Sequence, residues 1–547
     1  MSLSERPMKL LEEEFKRYNK DEALHTNIVA AVLMAETIRT SFGPFGLDKM
    51  ILDPVGDIII SNDGSTIVKN FDVRHPVARI LDNLVRSQDK EVGDGSKTAV
   101  ILVGELLKQA FKLLSEKINP NDIIDGYEIA LRWTNEILNE IAIEIDINDG
   151  KILKDIAKTA LTSKIHGKNE DYISDLIIDA IHHVREIKDG KDHINTKNIY
   201  ILAKKGGNIP DSKLIKGMVI DKEVISESMP KRIENAKIAM IEPSLEHKKV
   251  HKFDPKIYIN NSNQMKSFLR KDKEVIENFI KKMKETGVNV ALFRRDISER
   301  SQRLLANANI MAARFVHREQ FYPAQKAVGA KLITKLDDYS PKDLGHAELV
   351  EERKIGKKKI IFIEGCKNPK AVCLFLRAGI KNVGYELERR VIDAISVVRN
   401  AIKDKKVLPG GAATEIETAK RIRLKSSSVA GKKQLAIEAF ADSLEIIPKT
   451  LIETAGLDQL DYLTELRASH NQETDEDIYF GLNFENKQPM NMAKLGIMDS
   501  FKAKYHAINA ASEVARLILR IDDIIDQADE SAYAPPPKPR EDYDDED

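Results

Sequence analysis

Residues 91–100 read EVGDGSKTAV. Asp94 stands between two glycines, and Ser96, Lys97 and Thr98 follow before the chain turns apolar. From Thr98 the run TAVILVGELLKQAFKLLSEK places Val100, Val103, Leu106, Leu107, Ala110 and Phe111 at helical spacing, with Glu105 and Lys108 off that stripe. This predicts a buried helix. Upstream, HPVARILDNLVRSQDK predicts a second, amphipathic helix. The stretch Gly93–Ser96 is then a tight loop feeding a helix N-terminus, where unpaired N–H groups and the helix dipole favour anions. An acid in that place repels phosphate unless a divalent cation stands between them, so one reading is phosphate bound through magnesium. The other is an Asp-Gly turn with Ser96 as the helix N-cap.

Spacing excludes two rivals. A Walker A loop needs glycine directly before its Lys-Ser/Thr pair, and here Ser96 intervenes. The dinucleotide fingerprint fails because Thr98 stands where its third glycine would be.

The chain has 547 residues, too many for one core, and implies about three domains or more. A 42% hydrophobic and 32% charged composition describes a globular protein with many solvated helix faces. Net charge is −1, so no bulk field favours nucleic acid or membrane. Cys366 and Cys373 form neither a disulfide framework nor a metal-ligand pattern, which fits a reducing interior. With no signal-peptide core and no apolar run near 18 residues, the expected location is cytoplasmic.

Along the chain, residues 21–145 are largely of helical pattern, interrupted by SFGPFGLDKM and by DIIISNDGSTIVKN. The latter alternates and then turns at Asn-Asp-Gly, as a hairpin would. Further helices fill 146–205, and Gly206–Gly207 mark a hinge or boundary. Residues 211–365 change character: MVIDKEVI, AKIAMIE, VNVALFR and KIIFIEG are β-rich and alternate with helices, an α/β unit inserted in a helical one. Helices return from about 368 to 530, a long one spanning 380–403. The end, SAYAPPPKPREDYDDED, has nothing to bury and is expected to be disordered.

Seven stretches, taken together and in order, resemble the group II chaperonins: SFGPFGLDKM, SNDGSTIVKN, QDKEVGDGSKTAV, LERRVIDAISVVR, VLPGGAATEIE, AGLDQLDYLTELRASH and LRIDDII. Archaeal thermosome subunits are the nearest likeness, eukaryotic cytosolic chaperonin subunits the next. The resemblance covers about 20–530. It implies a multidomain α+β chaperonin fold with a mainly helical equatorial domain (1–145 and 404–530), a small intermediate domain (146–210 and 366–403) and an α/β apical domain (211–365). A helical protrusion at about 244–275 would form a built-in lid, and 531–547 a disordered acidic tail.

The same resemblance implies ATP and Mg2+ as cofactors. It puts Gly43, Pro44 and Gly46 along the phosphates, Asp94 on magnesium, and Gly95, Ser96, Lys97 and Thr98 around the phosphates. Asp63 and Asp393 become the catalytic carboxylates, with Asp393 swung in from the intermediate domain. Gly411, Asn483 and Asp499 take the ribose and adenine side. Lys164 matches a lysine that senses the γ-phosphate; from the residues alone it is equally a solvated loop lysine, and Asp393 reads more readily as a surface or capping acid than as a catalytic one.

Three positions depart from the family pattern: Lys97 replaces a hydroxyl, Ala412 a glycine, and Phe45 a commonly basic residue. In relatives K+ lies beside the phosphates. Lys97 either takes that cation's place, pairs with a catalytic carboxylate and slows the subunit, or is simply solvated. The implied function is ATP-driven enclosure of unfolded polypeptide in a double ring of like or unlike subunits, with no separate lid protein, nucleic acid or membrane. The alternative is a weakly hydrolysing subunit that supplies ring contacts and substrate-binding surface.

Overall fold

The apolar stripe after Asp94 forms one helix, Ser96–Ser115, buried over most of its circumference by Val100, Ile101, Leu102, Val103, Leu106 and Leu107. Such a helix sits at the centre of a bundle. Lys20–Arg39, Pro76–Glu91, Pro120–Ile141, Lys432–Leu444 and Phe501–Leu519 pack around it or each other. Gly104 lets Lys20–Arg39 approach closely, because a Cβ there would come within 2.3 Å of Ala35 Cβ. Phe111, expected on the apolar stripe, is instead exposed and makes an edge contact with His25. The computed structural model describes residues 15–18, 20–52, 56, 58–70, 75–162, 168–246, 262–336, 338–367, 369–472 and 474–527. The acidic tail and Lys164 lie outside them, as do residues 247–261 of the expected lid.

Three hydrophobic cores stand along the described chain. The first joins residues between Leu24 and Ile141 to residues between Leu408 and Leu519, so the two ends of the sequence share one helical core. The second, from Leu202 to Phe375, surrounds a seven-stranded sheet. Its strands run in the order Met311–Ala313, Val290–Phe293, Arg232–Ile241, Gly345–Ile355, Lys358–Glu364, Met218–Ile220, with Leu332–Ile333 also on Arg232–Ile241. Val290–Phe293 is buried at every residue, as a parallel strand covered on both faces must be. All four β-rich runs anticipated between 211 and 365 are strands of this sheet.

The third core links the helices Gly150–Leu161, Lys168–Val184 and Lys381–Asp404 to a small sheet in which Val372–Ala378 runs parallel to Ile199–Lys205. The helix Lys381–Asp404 leans on this core and also reaches the first: Asn400 Nδ2 donates to Val92 O at 2.9 Å. It thereby carries residues of the third core to the loop of Asp94.

Two local expectations are corrected. Asn-Asp-Gly is not a hairpin turn. The hairpin lies one segment earlier, Lys49–Leu52 against Ile58–Ser61, and Asp63 caps the short helix Gly64–Lys69 by accepting from Thr66 N at 2.8 Å. An N-cap and a hairpin turn draw on the same residue types, and the neighbouring strand decides between them. Likewise Ser96 is not an N-cap. Gly95 holds that place at φ 85°, and the Ser96 hydroxyl donates to Asp89 instead.

Candidate functional site

Three segments supply most of the lining of a cleft of about 370 Å3. Asn62–Thr66 and Gly93–Thr98 form one wall. Glu386, Arg389, Arg390, Asp393 and Ser396 of the Lys381–Asp404 helix form the facing wall. The two walls touch: a Cβ on Gly93 would come within 2.5 Å of Ser396 Cβ, so only glycine admits the helix this close. Asp63, Asp94 and Asp393, three carboxylates from distant parts of the sequence, thus share one cavity with Gly95, Ser96, Lys97 and Thr98.

Gly93 and Gly95 both adopt positive φ, 81° and 85°, a conformation in which side chains are strained. The first helical bond beyond them is Ala99 N to Gly95 O. The N–H groups of Ser96, Lys97 and Thr98 precede it, at the positive end of a 20-residue helix. The loop is fixed from behind by Gln88, a fully buried residue whose Nε2 donates to Asp94 O at 2.7 Å.

The carboxylates are tuned apart. Burial pushes Asp393 well above the ordinary carboxylate range, and the charges of Asp94, Asp63 and Asp89 push it further. Burial also raises Asp94, helped by Asp499, although Gly95 N–H, Lys97 and Arg390 act the other way. Asp94 keeps solvent access through the mouth of the cleft, and what desolvates its carboxylate is the crowding of the two walls around it. At Asp63 burial is outweighed by donors from Ser65, Thr66 Oγ1 and Thr66 N and by the Arg389 charge, which hold it below its usual value. Asp89, a fourth carboxylate on the cleft, is raised by burial and by Asp63.

Such crowding suits a hard cation with oxygen ligands. Among the described residues no preformed cluster of three or more metal-ligating side chains exists. Mg2+ is such a cation, and it takes one or two carboxylates and completes its shell with water and phosphate. Asp94, whose carboxylate opens onto the cleft, could hold such an ion.

Lys97 points into the same wall. Its Nζ donates to Ser41 O at 2.7 Å and to Asn62 Oδ1 at 2.5 Å. Its stem passes over Gly64, where a Cβ would come within 2.8 Å of Lys97 Cγ. Ser41 opens the turn that carries Gly43, Pro44 and Gly46; Gly46 packs on the Ser41 carbonyl, and Asn62 Nδ2 donates to Gly46 O at 3.0 Å. These turn residues stand behind the cleft, whose lining includes the adjacent Phe42.

Gly411, Asn483 and Asp499 do not line the cleft but gather beside it. Leu408 pairs with Asp499 between strands Lys406–Pro409 and Met498–Ser500, and Leu482 N donates to Gly411 O at 2.8 Å. Asn483 Oδ1 accepts from Glu485 N and Asn486 N. Phe45 of the Gly43–Gly46 turn meets Phe484 edge-to-face, ring centroids 5.4 Å apart, which ties this group to the turn. Asp499 also accepts from Lys504, which is shared with buried Glu415. Asn62, Gln88, Asp89, Arg390 and Lys504 were not singled out from the sequence. Only Arg390 carried a local signal, one helical turn before Asp393.

A family model matches residues 34–529, and its description is TCP-1/cpn60 chaperonin family. The chain belongs to that family. This chaperonin is 43% identical over 523 residues to a thermosome subunit of Pyrococcus horikoshii, covering 96% of this chain and 94% of that one. It is 42% identical to the thermosome subunit of Methanopyrus kandleri, with 95% of each chain covered. It is also 42% identical to the thermosome subunit alpha of Archaeoglobus fulgidus, covering 95% of this chain and 94% of that one. The multidomain α+β chaperonin fold and the role of an ATP-dependent group II chaperonin subunit follow from this membership. Among the described residues no helix is long and apolar enough to cross a membrane.

Proposed function

We propose that the cleft between Gly93–Thr98 and the Lys381–Asp404 helix binds Mg2+ and ATP and hydrolyses it, and that this drives enclosure of unfolded polypeptide in a double ring. The meeting of Asp63, Asp94 and Asp393 at one helix N-terminus carries the reading. Asp94 would hold Mg2+, which when bound neutralises phosphate charge. The N–H groups of Ser96–Thr98 bind phosphate oxygens. Asp63, kept ionised by its donors, orients the attacking water, and Asp393, with its raised affinity for protons, takes the proton. Gly43, Pro44 and Gly46 support the phosphates from behind, and Gly411, Asn483 and Asp499 serve the ribose and base; Lys164 would sense the γ-phosphate.

Lys97 supplies a tethered positive charge where relatives use K+. Ser41 O and Asn62 Oδ1 receive its ammonium, oxygens of the kind that also hold a monovalent cation, and its charge reaches Asp94. ATP turnover then needs no added potassium.

The three cores support an equatorial domain at 1–145 and 404–530, an intermediate domain at 146–210 and 366–403, and an apical domain at 211–365. The hairpin Lys49–Leu52 and Ile58–Ser61 leaves Met50, Leu52, Ile58 and Ile60 exposed, an apolar face suited to a neighbouring subunit in the ring. Residues 244–275 form the lid. Single-turnover ATP hydrolysis by the assembled particle tests the reading; ATP bound without magnesium-dependent turnover would refute it. A particle lacking 244–275 that keeps its ATPase but no longer protects an enclosed polypeptide from protease places the lid; retained protection puts it elsewhere.

A further inference from the structure

Arg390 lines the cleft from the same helix as Asp393, three residues earlier and so on the same face. Its side chain is only 12% exposed, yet its hydrogen bonds are long: Nε to Glu386 Oε1 at 3.3 Å and Nη2 to Asn62 Oδ1 at 3.4 Å. Asn62 Oδ1 is also the acceptor of Lys97 at 2.5 Å, so two cations share one neutral oxygen. Lys97 makes the close contact and Arg390 the distant one. Nε is paired with the Glu386 carboxylate on its own helix, whereas Nη2 reaches toward the cleft for a long bond to a neutral oxygen it shares with Lys97, a contact that an anion in the cleft would replace. The Arg390 charge already eases ionisation of Asp94 across the cleft and of Asp393 beside it, so it is felt where phosphate would lie.

We propose that Arg390 is a catalytic residue: on nucleotide binding it exchanges Asn62 Oδ1 for the terminal phosphoryl oxygens of the triphosphate and stabilises their charge during transfer to water. This rests on the cleft being the ATP-hydrolysing site. In that reaction the water oxygen bonds to the terminal phosphorus, and the bond from that phosphorus to the bridging oxygen breaks. The electron pair stays on the diphosphate, and the water proton passes to Asp393. Arg390 keeps its protons and supplies charge alone, as an arginine finger within the same chain. One docking event, Asn400 on Val92 and Ser396 on Gly93, therefore delivers base and cation together. A subunit with this helix withdrawn lacks both.

The test compares assembled wild type with Arg390→Ala and Arg390→Lys in magnesium. Single-turnover hydrolysis is measured alongside affinities for ADP and for ADP with aluminium fluoride, which mimics the phosphoryl group in transfer. Arg390→Ala is expected to slow hydrolysis by about 10²–10³-fold, toward the lower range for such arginines. It should weaken the aluminium fluoride complex on the order of 10²-fold while ADP affinity stays within about threefold, and free guanidinium should restore part of the rate. Arg390→Lys should fall between, since it keeps the charge and loses the fork. Unchanged hydrolysis, or equal loss of both affinities, would show that Arg390 only props the helix. A wild type that turns over no ATP overturns both the site and this role; a turning-over wild type with an unaffected variant overturns the role alone.

Discussion

Around Asp94 the chain assembles charge; around Gly411 it assembles backbone. The first region draws Asp63, Asp89, Asp94 and Asp393 together with Lys97 and Arg390, and holds them by the docking of one helix onto a glycine loop. The second is set by strand pairing, Leu408 with Asp499, and by the Gly411–Leu482 bond within the terminal core. Crowded carboxylates cost the free protein stability and are useful only when cations and phosphate arrive, the usual trade at functional sites. Backbone contacts stabilise the protein whether or not a ligand is present. Substitutions at the two regions should therefore fail differently.

Asp94→Ala separates them most strongly. It should weaken magnesium-dependent ATP binding by about 10²-fold or more, by analogy with lost metal ligands. The thermal midpoint of the nucleotide-free particle should hold or rise, because a carboxylate that burial and Asp499 disfavour is gone. Calorimetric titration and melting check both; an early-melting variant with normal affinity would break the comparison.

Gly411→Ala should do the reverse. Its φ is 59°, and a Cβ would come within 2.8 Å of Met492 Sδ and 3.1 Å of Leu482 N and O. Strain and crowding should cost roughly 1–3 kcal/mol, read as a lowered denaturation midpoint, and nucleotide affinity should fall by much less than the about 10²-fold of Asp94→Ala.

Lys97→Thr sharpens the charged side. Wild-type turnover should be equal in sodium and potassium, and the variant should become potassium-dependent by several-fold, on the order of 1 kcal/mol. Faster turnover of the variant in any salt would mean that Lys97 restrains a carboxylate; no change in rate or salt response would mean that it is solvated.

Ala412→Gly should have the smallest effect. Ala412 sits at φ 65°, a strain of about 1–2 kcal/mol that glycine relieves. Against this stand about 0.8 kcal/mol for the buried methyl and about 0.4–1 kcal/mol of unfolded-chain entropy. The sum is near zero, so the midpoint should barely move; a large loss would mean that the methyl packs in a way its position does not suggest.

Much of the fold was legible because its signals are local. The helix after Asp94, the amphipathic helix before it and the four β-rich runs all follow from periodicity. Asp63, Asp94 and Asp393 entered through their motifs, and the structure places them in one cleft. What escaped was mostly relational. Asn62 and Arg390 are 328 positions apart, and nothing in either neighbourhood announces that they meet. Gln88 and Lys504 read as ordinary polar helix residues until the Asp94 loop and Asp499 are seen to lean on them. Asn-Asp-Gly was misread, and Ser96 left open between two readings, for a different reason. Turns and helix caps share residue types, and the strand Ile58–Ser61 and the acid Asp89 decided each case.

The central claim is that a helix from the third core brings a proton acceptor to a nucleotide held by the first. Asp393→Ala tests it most directly, by single-turnover hydrolysis and ATP affinity on the same particle. ATP affinity should stay within a few-fold of wild type, and hydrolysis should fall by about 10²–10⁴-fold. The acidic limb of the wild-type pH–rate profile, set above ordinary carboxylates by the raised pKa of Asp393, should vanish with it. Loss of ATP binding equal to the loss of turnover, or a variant that hydrolyses ATP at the wild-type rate, would contradict the account.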